Sequence, residues 1–364
     1  MPEPAVPADN PMSSDKVALG RVLFYDFQLS INGARSCGIC HEQPKGFTDG
    51  FVKAVGAFGD RHTRNTPTVL NVAWRSPLTW LDPDQHSLEE QLLVPLRGDD
   101  PIELGMGGQD DLLLERLATF EPYPALFSAA WADDPDPITV AHLAQAIASF
   151  ERTLIALDSP YDRWLSGDDE ALDAAAQRGL ALFESPELHC SECHGGPLLE
   201  LPMGDDGQLL DEPGYFNTGQ YDVDGAGAYP PDDPGLIALT GDPADSGAFR
   251  TPSLRNVADT PPYNHDGTTD TLWDLVDNYA RGGRDITAGE HPGDGAGNAH
   301  KDPRISGFDL SDDQAADLVA FLGSLSDPSV LAGGPIDDPF CRDDDTALAD
   351  CIVPRDLETD DVGR

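Results

Sequence analysis

Two pentads carry the chemistry of this 364-residue chain: Cys37-Gly38-Ile39-Cys40-His41 and Cys190-Ser191-Glu192-Cys193-His194. In each, two thiols three residues apart can add across the two vinyl groups of one porphyrin. The histidine that follows can aim a ring nitrogen at the iron. This is the pattern of c-type haem attachment, and its double occurrence predicts two covalently bound haem c groups. A lone C-x-x-C could be a redox dithiol or half of a structural zinc site. The terminal histidine suits neither well, and zinc is kept as the alternative.

Each pentad needs elements to hold it. Val17, Leu19, Gly20, Val22, Leu23 and Phe24 have helical spacing, so a helix is expected from Asp15 onward. Its counterpart before the second pentad runs through Ala175, Arg178, Gly179, Leu180, Leu182 and Phe183, and Pro186 ends it. Gly20 and Gly179 each stand four residues before a phenylalanine, where a small residue lets another helix cross closely. A further amphipathic helix closes each half. The first runs from Ile138 to Leu154; the second runs from Leu310 to Leu325, with Ser311 and Gln314 forming a capping box.

The chain is therefore read as an internal repeat. The expected fold is mainly α: two cytochrome c-like haem domains with long irregular loops. Residues 1–166 would hold the first haem, 167–330 the second, and 331–364 an acidic tail. Residues 203–248 and 281–306, rich in Gly, Asp and Pro, are loops of the length that wraps a cofactor.

The net charge is −44, from 66 acidic and 22 basic residues. Such a surface repels nucleic acid and anionic lipid, and no apolar run reaches the length of a membrane span. Acids spread along the whole chain suit a salt-rich medium; they would also steer a basic partner. Thioether haem is attached outside the cytoplasm, so a periplasmic protein is expected, exported by a leader absent from this sequence. The same compartment permits disulfides, and Cys341 and Cys351 are expected to pair within the tail.

Five further stretches accompany the pentads: Arg64-Asn65-Thr66-Pro67-Thr68, Leu88-Glu89-Glu90-Gln91, Pro101-Ile102-Glu103-Leu104-Gly105, Pro252-Ser253-Leu254-Arg255-Asn256-Val257 and Pro262-Tyr263-Asn264-His265-Asp266-Gly267. In this order the chain resembles the bacterial dihaem cytochrome c peroxidase/MauG family, from about Lys16 to Leu325. Ala8-Asp9-Asn10-Pro11-Met12 and Ser159-Pro160-Tyr161-Asp162-Arg163 make it most similar to the MbnH-type dihaem enzymes.

The resemblance implies unequal haems. His41 and His194 would be the proximal iron ligands. Ala57 stands where many members keep a distal histidine, so the first iron would be open to hydrogen peroxide; nearby His62 looks like a surface or loop-anchoring residue. Glu103 would be the distal base and Pro95 would limit space above the haem, although the stretch between them is two residues longer than the family pattern. Tyr279 would bind the second iron in place of the usual methionine, with Met203 as its competitor. Trp80 would relay charge between the haems. Asn65, Thr260 and Pro262 would bind calcium through oxygen, which suits that ion.

The function implied is peroxide-driven oxidation of an aromatic residue, best guessed as tryptophan, in a partner protein through a high-valent dihaem state. A periplasmic copper-binding protein is the leading partner. One alternative is a peroxide-detoxifying enzyme reduced by a small cytochrome or cupredoxin. The other is a non-catalytic dihaem electron carrier.

Overall fold

The computed structural model describes residues 1, 3–204, 206–340, 351 and 352. Helices dominate it, as the apolar spacing predicts, and the strands are two short antiparallel pairs, Tyr215–Phe216 with Phe249–Arg250 and Asp285–Ile286 with Gly293–Asp294.

Two helix pairs repeat the same construction. Helix Ser14–Tyr25 packs along helix Val140–Glu151, and helix Ala174–Phe183 packs along helix Asp312–Gly323. The glycines set the approach. A Cβ on Gly20 would lie 1.9 Å from the Ala146 carbonyl oxygen, and one on Gly179 would lie 1.9 Å from that of Asp317. Side-chain caps start all four helices: Ser13, Thr139, Asp173 and Ser311 each accept from the main-chain N–H three residues on. The Ser311–Gln314 capping box forms in both directions.

Around the first pair lies an apolar core that includes Leu23, Phe24, Phe47, Phe127, Ile147 and Phe150. Around the second lies another, with Leu180, Phe183, Leu254, Tyr263, Val276 and Phe321. Helix Pro160–Leu165 joins the second core through Tyr161 and Trp164. The stretch 330–340 returns to the first: Val330 and Phe340 are part of that core, and Tyr25 Oη donates to the Ile336 carbonyl at 2.9 Å. Cys351 is disulfide-bonded; Cys341, expected as its partner, lies outside the described residues.

The region 203–248 contributes to a third, smaller core. Tyr221, Tyr229, Leu236 and Phe249 pack with Leu81. Their irregular spacing leaves no helical or strand period, which is why the region reads as plain loop.

Candidate active site

Each pentad folds as a single helical turn, Cys37–Cys40 and Cys190–Cys193, with its histidine as the C-cap. Residues three apart on a turn face the same side, so each cysteine pair is presented together. His41 Nδ1 lies 3.0 Å from the Phe47 carbonyl oxygen, and His194 Nδ1 lies 3.0 Å from that of Leu199. A carbonyl can only accept, so Nδ1 carries the hydrogen and Nε2 keeps a lone pair for a metal. Phe47 and Leu199 aim these carbonyls from left-handed backbone, at φ 59° and 55°. Burial pushes both imidazoles down, His194 to about 4, so both stay neutral.

The four pentad cysteines are not disulfide-bonded. Burial pushes their thiols up, to about 12 for Cys40 and Cys190 and about 11 for Cys193. A structural zinc takes four such donors, and among the described residues no three His, Cys, Asp or Glu side chains are grouped to hold a metal ion. The donor set therefore fits c-type haem better than zinc.

One largely apolar cavity gathers most of the residues singled out in the second half. Cys190, Cys193, His194, Tyr279 and Trp80 line it, and so do Asn65, Thr260 and Pro262. Tyr279 is carried by helix Leu272–Arg281, which Thr271 caps by accepting from Asp274 N–H at 3.1 Å. Burial pushes the Tyr279 phenol above its ordinary value. A buried phenolate would need a cation beside it. Met203 is 40% exposed and does not line the cavity; Met106 is fully buried in the first core. Trp80 Nε1–H donates to the Asn65 carbonyl at 2.8 Å, which fixes the indole at the junction of the two halves. Asn65 Nδ2 donates to the Phe51 carbonyl at 2.9 Å, turning its Oδ1 away. Among the described residues nothing donates to that Oδ1 or to the Thr260 and Pro262 carbonyls, so these oxygens are open to a hard cation.

The first half holds the other constellation. Glu103 is anchored by its main chain: its carbonyl accepts from Ala57 N–H at 2.8 Å, and Leu104 N–H donates to the Pro95 carbonyl at 3.0 Å. Pro95 and Glu103 are thus held on neighbouring strands of chain. Burial pushes the Glu103 carboxyl up to about 7. Its charge is felt by both Cys37 and Cys40, which places it beside the first pentad. His62, expected at the surface or anchoring a loop, is partly buried: its side chain is 18% exposed and Nε2 lies 3.9 Å from Glu103 Oε2, while its N–H ties the turn to the Ala54 carbonyl.

Three residues escape a reading by motif. Arg75 and Arg250 line the cavity, and both approach the carboxylate of Glu200, at 3.4 and 3.6 Å. All three are at most 5% exposed. A second repeat frames the same cavity, Thr66-Pro67-Thr68-Val69-Leu70-Asn71-Val72 against Thr251-Pro252-Ser253-Leu254-Arg255-Asn256-Val257. Asn71 and Asn256 hold matching left-handed turns at φ 59°, and Thr66-Pro67 and Thr251-Pro252 all line the cavity.

Known proteins share this arrangement. A sequence profile described as di-haem cytochrome c peroxidase matches residues 14–170. The methylamine utilization protein MauG of Methylorubrum extorquens is 34% identical over 89% of this chain and 82% of its own length. The cytochrome c551 peroxidase of Pseudomonas aeruginosa is 33% identical over 87% of this chain and 80% of its own. Among solved structures, a MauG-like protein associated with microbial copper homeostasis superposes with a TM-score of 0.88 at 42% identity, covering 93% of this chain and 97% of that one.

Proposed function

We propose a function from one premise: this chain belongs to the di-haem cytochrome c peroxidase family. It is accordingly an oxidoreductase acting on peroxide, with haem c as its cofactor, and not a pure electron carrier. Cys37, Cys40 and His41 would hold one haem; Cys190, Cys193 and His194 would hold the other. When bound, the haems supply an iron that receives peroxide and the two electrons its reduction requires.

The chain's own residues do the rest. The Glu103 carboxylate takes a proton from one peroxide oxygen and returns it to the other, so that the O–O bond breaks and water leaves. Pro95 restricts the space above that site. Trp80 offers a charge relay between the halves. Asn65 Oδ1 and the Thr260 and Pro262 carbonyls bind calcium. The protein works in the periplasm, the compartment that thioether attachment implies; fractionation that leaves it in the cytoplasm would refute this. Among the described residues no helix is long and apolar enough to cross a membrane.

The substrate follows from Tyr279. Its place in the cavity with His194 is the observation that carries the reading. An anionic oxygen ligand favours oxidised iron, whereas a thioether favours the ferrous form that a small electron donor would supply. Oxidising power would therefore be held and passed to a side chain of a partner protein, a tryptophan in our reading. Likeness to a protein associated with microbial copper homeostasis makes a copper-binding partner the first to try. Likeness to a cytochrome c551 peroxidase supports the second reading, a peroxidase fed by a small cytochrome or cupredoxin.

The test is mass spectrometry of the product of the neighbouring gene after treatment with holoprotein and peroxide. Oxygen added at one tryptophan is expected with the wild type and is lost with Tyr279→Phe, while some peroxide consumption survives. The Tyr279→Phe protein should also show a changed absorption spectrum of the second haem. An unmodified partner, together with fast turnover on a reduced small cytochrome, would favour the second reading.

A further inference from the structure

His62 has no part in the scheme above, yet the fold brings it to Glu103. The chain from Ala54 to His62 turns back on itself, with His62 N–H donating to the Ala54 carbonyl at 3.0 Å. The turn lies flat on the Glu103 segment: a Cβ on Gly56 would fall 1.7 Å from the Ile102 carbonyl oxygen. Asn32 Nδ2 pins the same turn by donating to the Ala57 carbonyl at 2.7 Å. Main-chain bonding thus holds together the two segments from which His62 Nε2 and Glu103 Oε2 approach to 3.9 Å.

Other charges surround the pair. The buried Asp49 carboxylate favours a protonated His62, and a charged His62 in turn helps to keep His41 neutral. Arg35 reaches the same turn, its Nε donating to the Val55 carbonyl at 2.6 Å. Asp60 and Arg61 flank His62 on its own turn.

We propose, on the reading of Glu103 as the proton shuttle, that His62 and Glu103 hold one proton between them. His62 is the positioning residue that keeps this proton and leaves Glu103 an ionised carboxylate ready to receive another from peroxide. Burial disfavours the charged form of each group separately and so favours the neutral pair; attraction across the 3.9 Å between them favours the ion pair. The separation exceeds a hydrogen bond, normally about 2.7–3.2 Å. A small side-chain rotation or one bridging water closes it, and catalytic hydrogen bonds are often long before substrate binds. The proton count balances: the peroxide proton passes to Glu103 and then to the departing oxygen, while the His62 proton stays. The dyad ends each cycle as it began, with no electron moved within it.

The experiment compares wild-type and His62→Gln holoprotein in two ways. The first is the carboxylic-acid infrared band of Glu103, identified by its loss in Glu103→Gln and titrated without peroxide. Its midpoint is near 7 in the wild type and is expected higher in His62→Gln, where no imidazole is left to hold the shared proton. The second is the stopped-flow rate constant with peroxide, expected to fall from pH 8 to pH 6 by more than about tenfold in the variant and by a smaller factor in the wild type. His62→Asn serves if the Gln variant does not fold, and the haem spectrum checks either. A merely structural His62 would lower the rate equally at every pH and leave the infrared midpoint in place; that result overturns the dyad. An undiminished rate in Glu103→Gln, with a midpoint that still moves in His62→Gln, would instead remove the shuttle and leave the dyad standing.

Discussion

A carboxyl that must accept and return a proton near neutral pH cannot sit in open water, where it titrates near 4. Glu103 is moved to about 7 by burial alone, the range in which both forms are populated. Glu103→Gln should keep both haems and slow the reaction with peroxide by roughly 10²–10⁴-fold; an unchanged stopped-flow rate would take Glu103 out of the mechanism. The same burial has a stability signature. A carboxyl with a raised folded pKa binds its proton more tightly when native, so its contribution to stability falls as pH rises from about 4 to 7. Glutamine is neutral throughout. The melting temperature of Glu103→Gln minus that of the wild type should therefore increase between pH 5 and pH 8. Calorimetry showing a constant difference would mean that Glu103 is better solvated than its surroundings suggest.

At the scale of elements, each attachment turn is carried against a pair of crossed helices, and each crossing depends on one glycine. Gly179 is the clearer case. Beside it, Arg178 and Asp317 are joined by two hydrogen bonds of 2.7 Å, so helix Asp312–Gly323 is held on both sides of the contact. Gly179→Ala places a methyl group against the Asp317 carbonyl and must push that helix away. Overpacking of this kind costs about 1–3 kcal/mol, which should lower the denaturant midpoint of the holoprotein. Unfolding at the wild-type midpoint would show that the crossing gives way without cost. Gly20 predicts the same of the first pair, since its clash with Ala146 is equally direct.

At the scale of the molecule, loop residues of the first half and core residues of the second line one cavity. Asn65 comes from one half, Thr260 and Pro262 from the other, and Trp80 sits between them. A cation bound by these oxygens would tie the halves together, and its loss would be felt in both. Removing calcium from the holoprotein with a chelator should lower the melting temperature and alter the spectra of both haems, and adding calcium back should restore them. Asn65→Ala should weaken calcium binding in calorimetry. A chelated protein that melts and absorbs like the untreated one would leave the three oxygens without a cation.

What the sequence determined by itself is what depends on neighbours along the chain. Covalent haem attachment needs two thiols and an imidazole within one turn, so Cys37 to His41 and Cys190 to His194 were legible as written. The Ser311–Gln314 box was legible for the same reason, because a cap acts over three residues. The helical halves followed from apolar spacing at a 3.6-residue period. Tertiary structure decided what depends on distance in space. The pKa of Glu103 is set by burial, and burial is a property of whatever packs around a residue. The approach of His62 to Glu103 crosses 41 positions and leaves no periodic trace. Tyr221, Tyr229 and Phe249 meet Leu81 in the same way, and Val330 and Phe340 return to a core begun at Leu19. Local chemistry is encoded by spacing. A site assembled from separated segments is encoded only by the sum of all the packing that brings them together, and that sum is read in three dimensions.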